Sequence, residues 1–174
     1  MEENLKYYEE NLIKREGAEY ALGNAEALLN AFIESRDQIL DALYTEIKDR
    51  FVELYRKLHG SDEEDFDALL LSSGAGVDFK VNFHGQGNHP PHALHSEGHQ
   101  DSMGICLYLA LAERLTQGYI DLIVLDDVMM SVDAPHRRQI CHLLADFFKG
   151  KQFFITTHDQ TWARQLRLEG VVSS

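Results

Sequence analysis

Residues 121–127 read DLIVLDD, a run of four apolar residues bounded by carboxylates. A short apolar run of this kind is typical of a strand buried within a parallel sheet. Such a strand delivers its last side chains, Asp126 and Asp127, to the sheet edge where α/β folds bind ligands. One carboxylate there can hold Mg²⁺, and the next can orient or deprotonate a water molecule. Strands often end in Asp at a turn, so this pattern alone is weak.

Predicted helices and a second predicted strand accompany this first strand in the sequence. Residues 153–155 (FFI) form a second apolar run, which leads through two threonines into His158. Helical periodicity covers residues 101–115, 135–148 and 160–168 and flanks both runs. This order predicts an α/β fold with parallel strands and flanking helices.

The N-terminal 58 residues are predicted to form one long helix. Steps of three and four residues from Leu5 give sixteen positions, of which ten are apolar, although Arg15 and Glu19 interrupt the seam. The stretch contains no Pro and is longer than an ordinary globular helix, which favours a coiled-coil arm over a helix packed on a core. Gly60 lies where a C-terminal cap is expected. We therefore predict a coiled-coil arm over residues 1–59 and a globular domain over residues 60–174.

Between the arm and the two apolar runs, residues 77–84 (VDFKVNFH) alternate strictly between apolar and polar side chains. This pattern predicts a half-buried strand. A Gly- and Pro-containing loop follows over residues 85–91. This region holds five histidines: His84, His89, His92, His95 and His99. Because a metal site needs ligands that converge with fixed geometry, we interpret the segment as a polar loop and expect it not to bind zinc tightly.

Composition and charge exclude several classes of protein. The chain has 174 residues, 44% of them hydrophobic, which suits one folded domain rather than a disordered chain. Lys and Arg number 16 and Asp and Glu number 29, so the net charge is −13 and no broad basic surface for DNA is expected. No apolar run approaches the roughly 20 residues needed to span a bilayer, and no secretory signal is present. The two cysteines, Cys106 and Cys141, form no CxxC pair, which favours a reducing cytoplasm.

Residues 96–99 (SEGH) open the helix that runs through residue 109. A small hydroxyl and a Gly at a helix start expose backbone N–H groups at the positive end of the helix dipole, which suits a phosphate. Together with LDD (125–127), SVD (131–133) and His158, they form an ordered set of four short motifs. This set resembles the C-terminal half of an ABC-type ATPase head of the SMC/RecF-like kind, with a signature motif, Walker B, D-loop and switch histidine. Glu97 and His99 depart from the usual signature motif, and Asp127 stands where most members have Glu.

The resemblance implies roles for individual residues. Asp126 would bind the shell of Mg²⁺, Asp127 would position the attacking water, and His158 would contact the γ-phosphate of ATP. Ser96 and the N–H of Gly98 would clamp the γ-phosphate held by an opposing head.

The implied head–head dimer would also be coupled through Asp133 of the D-loop. The sequence contains no GxxxxGK[ST] loop, so the resemblance implies a partner half or subunit that bears Walker A. The chain then reads as a fragment or one product of a split gene, active in DNA repair, recombination or genome maintenance or defence, with DNA bound by the assembled complex and no membrane involved. Two alternatives stay open: a non-catalytic assembly module that binds a partner through its coiled coil, and a stand-alone metal-dependent phosphohydrolase.

Overall fold

The computed structural model describes residues 1–63, 65–73, 76–83, 85–94, 96–116, 120–128, 132 and 134–172. Its helices are α1 Glu2–His59, a 3-10 helix Gly60–Glu63, α2 Pro91–Leu94, α3 Glu97–Leu115, α4 Ala134–Phe147 and α5 Gln160–Leu168. Its strands are β1 Asp67–Ser73, β2 Gly76–Asn82, β3 Asn88–His89, β4 Leu122–Asp126 and β5 Gln152–Thr156. The chain divides into two compact units, Met1–Ala42 and Leu43–Ser174.

The first unit is a single helical segment, as the sequence predicts. Apolar side chains of the predicted seam are largely exposed along it, including Leu5 at 63%, Leu22 at 60% and Leu29 at 56%. A helix shows such a stripe when it is one strand of a coiled coil. The helix ends at His59, where Gly60 adopts a φ of 67° that favours glycine.

The second unit holds a continuous apolar core. The last turns of α1 contribute Phe51, Tyr55 and Leu58, each 0% exposed, and Phe66 packs against them with ring centroids 5.7 Å from Phe51 and 4.0 Å from Tyr55. Burying one side chain of this size stabilises the fold by about 1.5–3 kcal/mol. Residues 43–59 of α1 thus belong to the second compact unit.

Two small sheets flank this core. In the first, β1 pairs with β2 and β2 with β3, all antiparallel. In the second, β4 and β5 are parallel, which confirms the predicted parallel strands. Helices α3, α4 and α5 contribute apolar side chains to the same core, among them Leu109, Leu144 and Trp162.

The two cysteines, Cys106 and Cys141, are free and buried. Burial raises the pKa of the Cys106 thiol and raises that of Cys141 to about 12, so neither is poised as a nucleophile. Among the described helices, none combines the length and the apolar character that a membrane span requires.

Candidate functional site

Strands β4 and β5 bring the predicted catalytic residues to one edge of their sheet. The register pairs Asp126 with Thr156, so both strands end at the same level. The backbone N–H of Asp127 then donates to the carbonyl of Thr156 at 3.0 Å, one step beyond the ladder. Parallel pairing and equal strand ends therefore place Asp127 next to His158, although the two lie 31 positions apart in the chain.

Asp127 and His158 are in direct contact. The Nδ1 atom of His158 lies 2.8 Å from both carboxylate oxygens of Asp127. Asp127 has a φ of 50°, a left-handed conformation that Asp tolerates better than most residues. Both side chains are accessible, with 66% of His158 and 39% of Asp127 exposed. The pair can orient the imidazole and leave the carboxylate available to a ligand or a water.

Asp126 contributes oxygen donors beside this pair. The Thr156 hydroxyl donates a hydrogen bond to Asp126 Oδ1. Asp126, Asp127 and Thr156 thus offer hard oxygen atoms only, which are the donors that Mg²⁺ prefers. The donor set fits a magnesium ion that keeps part of its water shell.

Asp159 and Arg137 fix the segments next to the edge. Asp159 caps α5 by accepting hydrogen bonds from the N–H groups of Thr161, at 2.8 Å, and Trp162, at 3.1 Å. Arg137 of α4 forms an ion pair with Asp159 and donates to the carbonyl of Val132 at 2.7 Å. The Arg137 guanidinium, followed by the capping N–H groups, holds the pKa of Asp159 below its usual value. The sequence did not predict the contacts between Asp159, Arg137 and the start of α5. Its only local signal was an Asp directly before a segment with helical periodicity.

Ser96 and Gly98 lie at the start of α3, as predicted. Ser96 is the N-cap: its Oγ accepts from the N–H of His99 at 3.4 Å and lies 2.8 Å from His99 Nδ1. The Ser102 hydroxyl donates to the Gly98 carbonyl at 2.8 Å. A cavity of about 380 Å³ opens here. Its lining comprises His59, Ser96, Glu97, Gly98, His99, Ser102, Val132 and His136.

The predicted site residues therefore fall into two groups. Asp126, Asp127 and His158 share the sheet edge, whereas Ser96 and Gly98 share a cavity whose described lining contains none of those three. The D-loop residues Ser131 and Asp133 lie outside the described residues, as do His84 and His95 of the histidine-rich segment. The roles assigned to all of these residues stay predictions.

The sequence matches no protein-family model and no curated protein. The structure, in contrast, resembles solved SMC heads. It superposes on an Smc head domain with a coiled coil and joint from Pyrococcus yayanosii with a TM-score of 0.62 and 16% identity, over 87% of this chain and 29% of that one. An Smc head domain with an extended coiled coil from Pyrococcus furiosus, bound to the C-terminal domain of ScpA, gives a TM-score of 0.58 and 15% identity, over 82% and 34% of the two chains.

A third similar structure comes from work on the ATP-driven dimerization and DNA-stimulated activation of SMC ATPases. It gives a TM-score of 0.57 and 15% identity, over 74% of this chain and 77% of that one. The chain thus spans about a third of the two Pyrococcus head structures. It has the α/β fold of part of an SMC-like ATPase head, which confirms the resemblance found in the sequence.

Proposed function

We propose that this chain is the C-terminal lobe of an SMC/RecF-like ATPase that hydrolyses ATP at a head–head interface together with a half or subunit that bears Walker A. The observation that carries the proposal is the contact of 2.8 Å between Asp127 and His158, beside Asp126 at the end of two parallel strands. An acidic pair and a histidine at this edge of an SMC-head fold are groups that can hold the water shell of Mg²⁺ and orient a water for phosphoanhydride hydrolysis, once a second lobe supplies the phosphate loop.

The roles at this edge follow from what each side chain can do. Asp126 would hold the water shell of Mg²⁺, which when bound neutralises charge on the phosphates. Asp127 would orient the attacking water and accept its proton. His158, held through Nδ1 by Asp127, would present its other ring nitrogen to the γ-phosphate.

The start of α3 would serve the nucleotide of the opposing head. Ser96 is exposed and Gly98 is partly exposed, so the hydroxyl and the first backbone N–H groups can approach a phosphate closely. The dipole of α3 favours negative charge at this end. Asp133 would couple the two sites across the interface.

An incomplete sheet supports the need for a second lobe. In the described part of the chain the sheet of β4 and β5 has two strands. Leu122, Val124 and Phe154 are 43%, 45% and 59% exposed on these strands, although parallel sheets are normally covered on both faces. The sequence also lacks the GxxxxGK[ST] loop. We therefore propose that the lobe that bears this loop covers the exposed apolar side chains of β4 and β5.

The proposed setting is the cytoplasm, in DNA repair, recombination or genome maintenance or defence. With a net charge of −13, the chain is a poor DNA ligand by itself, so DNA would bind to the assembled complex. The exposed apolar stripe of residues 1–42 would pair with the other strand of a coiled coil.

Calorimetric titration of the isolated chain with Mg·ATP tests whether nucleotide binding requires the half that bears Walker A. We expect no detectable binding, because the phosphate loop supplies most contacts to the triphosphate in this class. Micromolar affinity of the chain alone would contradict the half-head proposal. Titration and steady-state turnover should then be repeated after co-expression with a Walker A-bearing half. A complex that assembles but never hydrolyses ATP would favour the non-catalytic assembly module instead.

A further inference from the structure

Three side chains from separate elements converge beside the start of α3. His59 is the last residue of α1, Glu63 ends the 3-10 helix, and His99 lies in the first turn of α3. Glu63 Oε1 lies 3.0 Å from His99 Nε2 and 3.7 Å from His59 Nδ1. One donor atom from each of the three residues lies within 4.8 Å of the other two. These spacings are small enough for one ion to contact all three donors.

The burial of the Glu63 carboxylate also points to a cation, independently of the spacing of the three donors. Its side chain is only 4% exposed, and its Oε2 atom has no hydrogen-bond partner among the residues that the structure describes. A buried carboxylate is costly unless it is paired and fully hydrogen-bonded. A cation at this position would compensate the carboxylate directly.

The donor types indicate which cation. Two imidazole nitrogens and one carboxylate oxygen form a set that suits Zn²⁺ better than Mg²⁺ or Ca²⁺, which prefer oxygen alone. The ring of His99 is already oriented, because Ser96 Oγ lies 2.8 Å from Nδ1 and leaves Nε2 facing Glu63. Contacts of this kind on the second ring nitrogen are usual for zinc-bound histidines.

We propose that His59, Glu63 and His99 form a zinc site that joins the end of α1 to the start of α3. The cluster adjoins the cavity that His59 and His99 line together with His136, whose ring centroid lies 4.8 Å from that of His59. Of the five histidines at positions 84–99, only His99 belongs to the site. The three ligands do not include Asp126, Asp127 or His158, so zinc binding can be measured on the chain without ATP, and failure of the proposed ATPase function would leave the result standing.

Zinc titration of the full chain, purified without a histidine tag and stripped with a chelator, tests the site. We expect uptake of about one Zn²⁺ per chain in competition with a chromophoric chelator. Glu63→Gln and His99→Gln each remove one ligand and should weaken zinc binding by at least about 100-fold, more than the loss of an outer partner. His92→Gln is the matched control, because His92 is exposed on α2 and lies outside the cluster. Equal affinity in wild type and Glu63→Gln would overturn the proposal.

A second readout does not depend on the folding of a variant. Co²⁺ added to the stripped wild-type chain should give the visible absorption of a four-coordinate site, and excess Zn²⁺ should remove it. Zinc should also raise the Tm of wild type and His92→Gln by several degrees, but not that of Glu63→Gln. A wild-type chain that takes up neither metal would overturn the proposal and leave the three residues as a hydrogen-bonded ion-pair network.

Discussion

Two pairs of carboxylate and histidine sit in opposite surroundings in this molecule. His158 and Asp127 are 66% and 39% exposed, whereas His99 and Glu63 are 35% and 4% exposed. An exposed pair contributes little to stability, so its groups are available for a ligand or for chemistry. A buried carboxylate requires compensation from its neighbours, and removing one partner from such a group is costly. The same residue types thus predict a catalytic edge in one place and a structural site in the other.

Replacing Asp127 by Asn should give the largest effect if the exposed pair is catalytic. In the complex with a Walker A half, we expect ATP turnover to fall by about 10²–10⁴-fold while nucleotide binding persists. Asn keeps the size of the side chain but loses the charge that orients the water and the His158 ring. Steady-state turnover and nucleotide affinity should be measured on the same preparations.

Asp146→Asn is the matched control for that experiment, since Asp146 is an exposed carboxylate on α4 away from the sheet edge. It should leave turnover unchanged. If Asp127→Asn turned over ATP as fast as Asp146→Asn, the contact between Asp127 and His158 would be an ordinary surface contact with no catalytic role.

Ser96→Arg probes the start of α3, which adjoins the buried pair. If Ser96 faces the nucleotide of the opposing head, Arg is too bulky for the close approach, and ATP-induced dimerisation should weaken by about 10–100-fold. ATP binding by the reassembled head should persist, because Asp126 and Asp127 lie at the sheet edge and not in this cavity. Light scattering with and without ATP, on an Asp127→Asn background, separates the two properties.

The control for added bulk and charge is Ser72→Arg, at an exposed position of β1. It should dimerise like the parent. A Ser96→Arg complex that still dimerises on ATP would show that Ser96 is only a helix cap, and the role in the opposing site would be withdrawn.

The sequence predicts the exposed pair because chain order alone brings it together. An apolar run that ends in Asp127 and another that leads into His158 become neighbours as soon as the two strands pair in parallel. The buried cluster depends instead on how the end of α1 packs against α3, which periodicity does not encode. His59 and Glu63 lie four positions apart, but Gly60 interrupts the helix between them. Their spacing alone therefore does not predict that the two side chains meet.

The extent of the arm illustrates the same limit. The heptad-like seam continues through Ile47 and Leu54, and nothing in the sequence marks where it changes from an exposed stripe to a buried face. In the structure Ile47 is 2% and Leu54 0% exposed, whereas Leu22 and Leu29 are more than half exposed. Periodicity identifies which face of a helix is apolar, but the partner that covers each turn is a tertiary property.

Replacing Asp159 should show the smallest effect, and it tests whether a partly buried carboxylate near the edge is structural. Asp159→Ala removes both the cap of α5 and the ion pair with Arg137, so the Tm should fall by a few degrees. Asp159→Asn keeps a capping side chain and loses only the charge, so its Tm should fall less.

The pH dependence distinguishes the charge of Asp159 from its capping role. Because Arg137 lowers the pKa of Asp159 in the folded state, the unfolded chain takes up a proton first as the pH falls. The contribution of Asp159 is therefore complete well above its ordinary pKa and is lost as the pH falls through that value towards the lower folded one. Thermal melts from neutral pH into that acidic range should bring the curves of wild type and Asp159→Asn together at low pH. A difference in Tm that stays constant over the whole range would show that the ion pair with Arg137 contributes nothing, and that Asp159 acts on α5 through its hydrogen bonds alone.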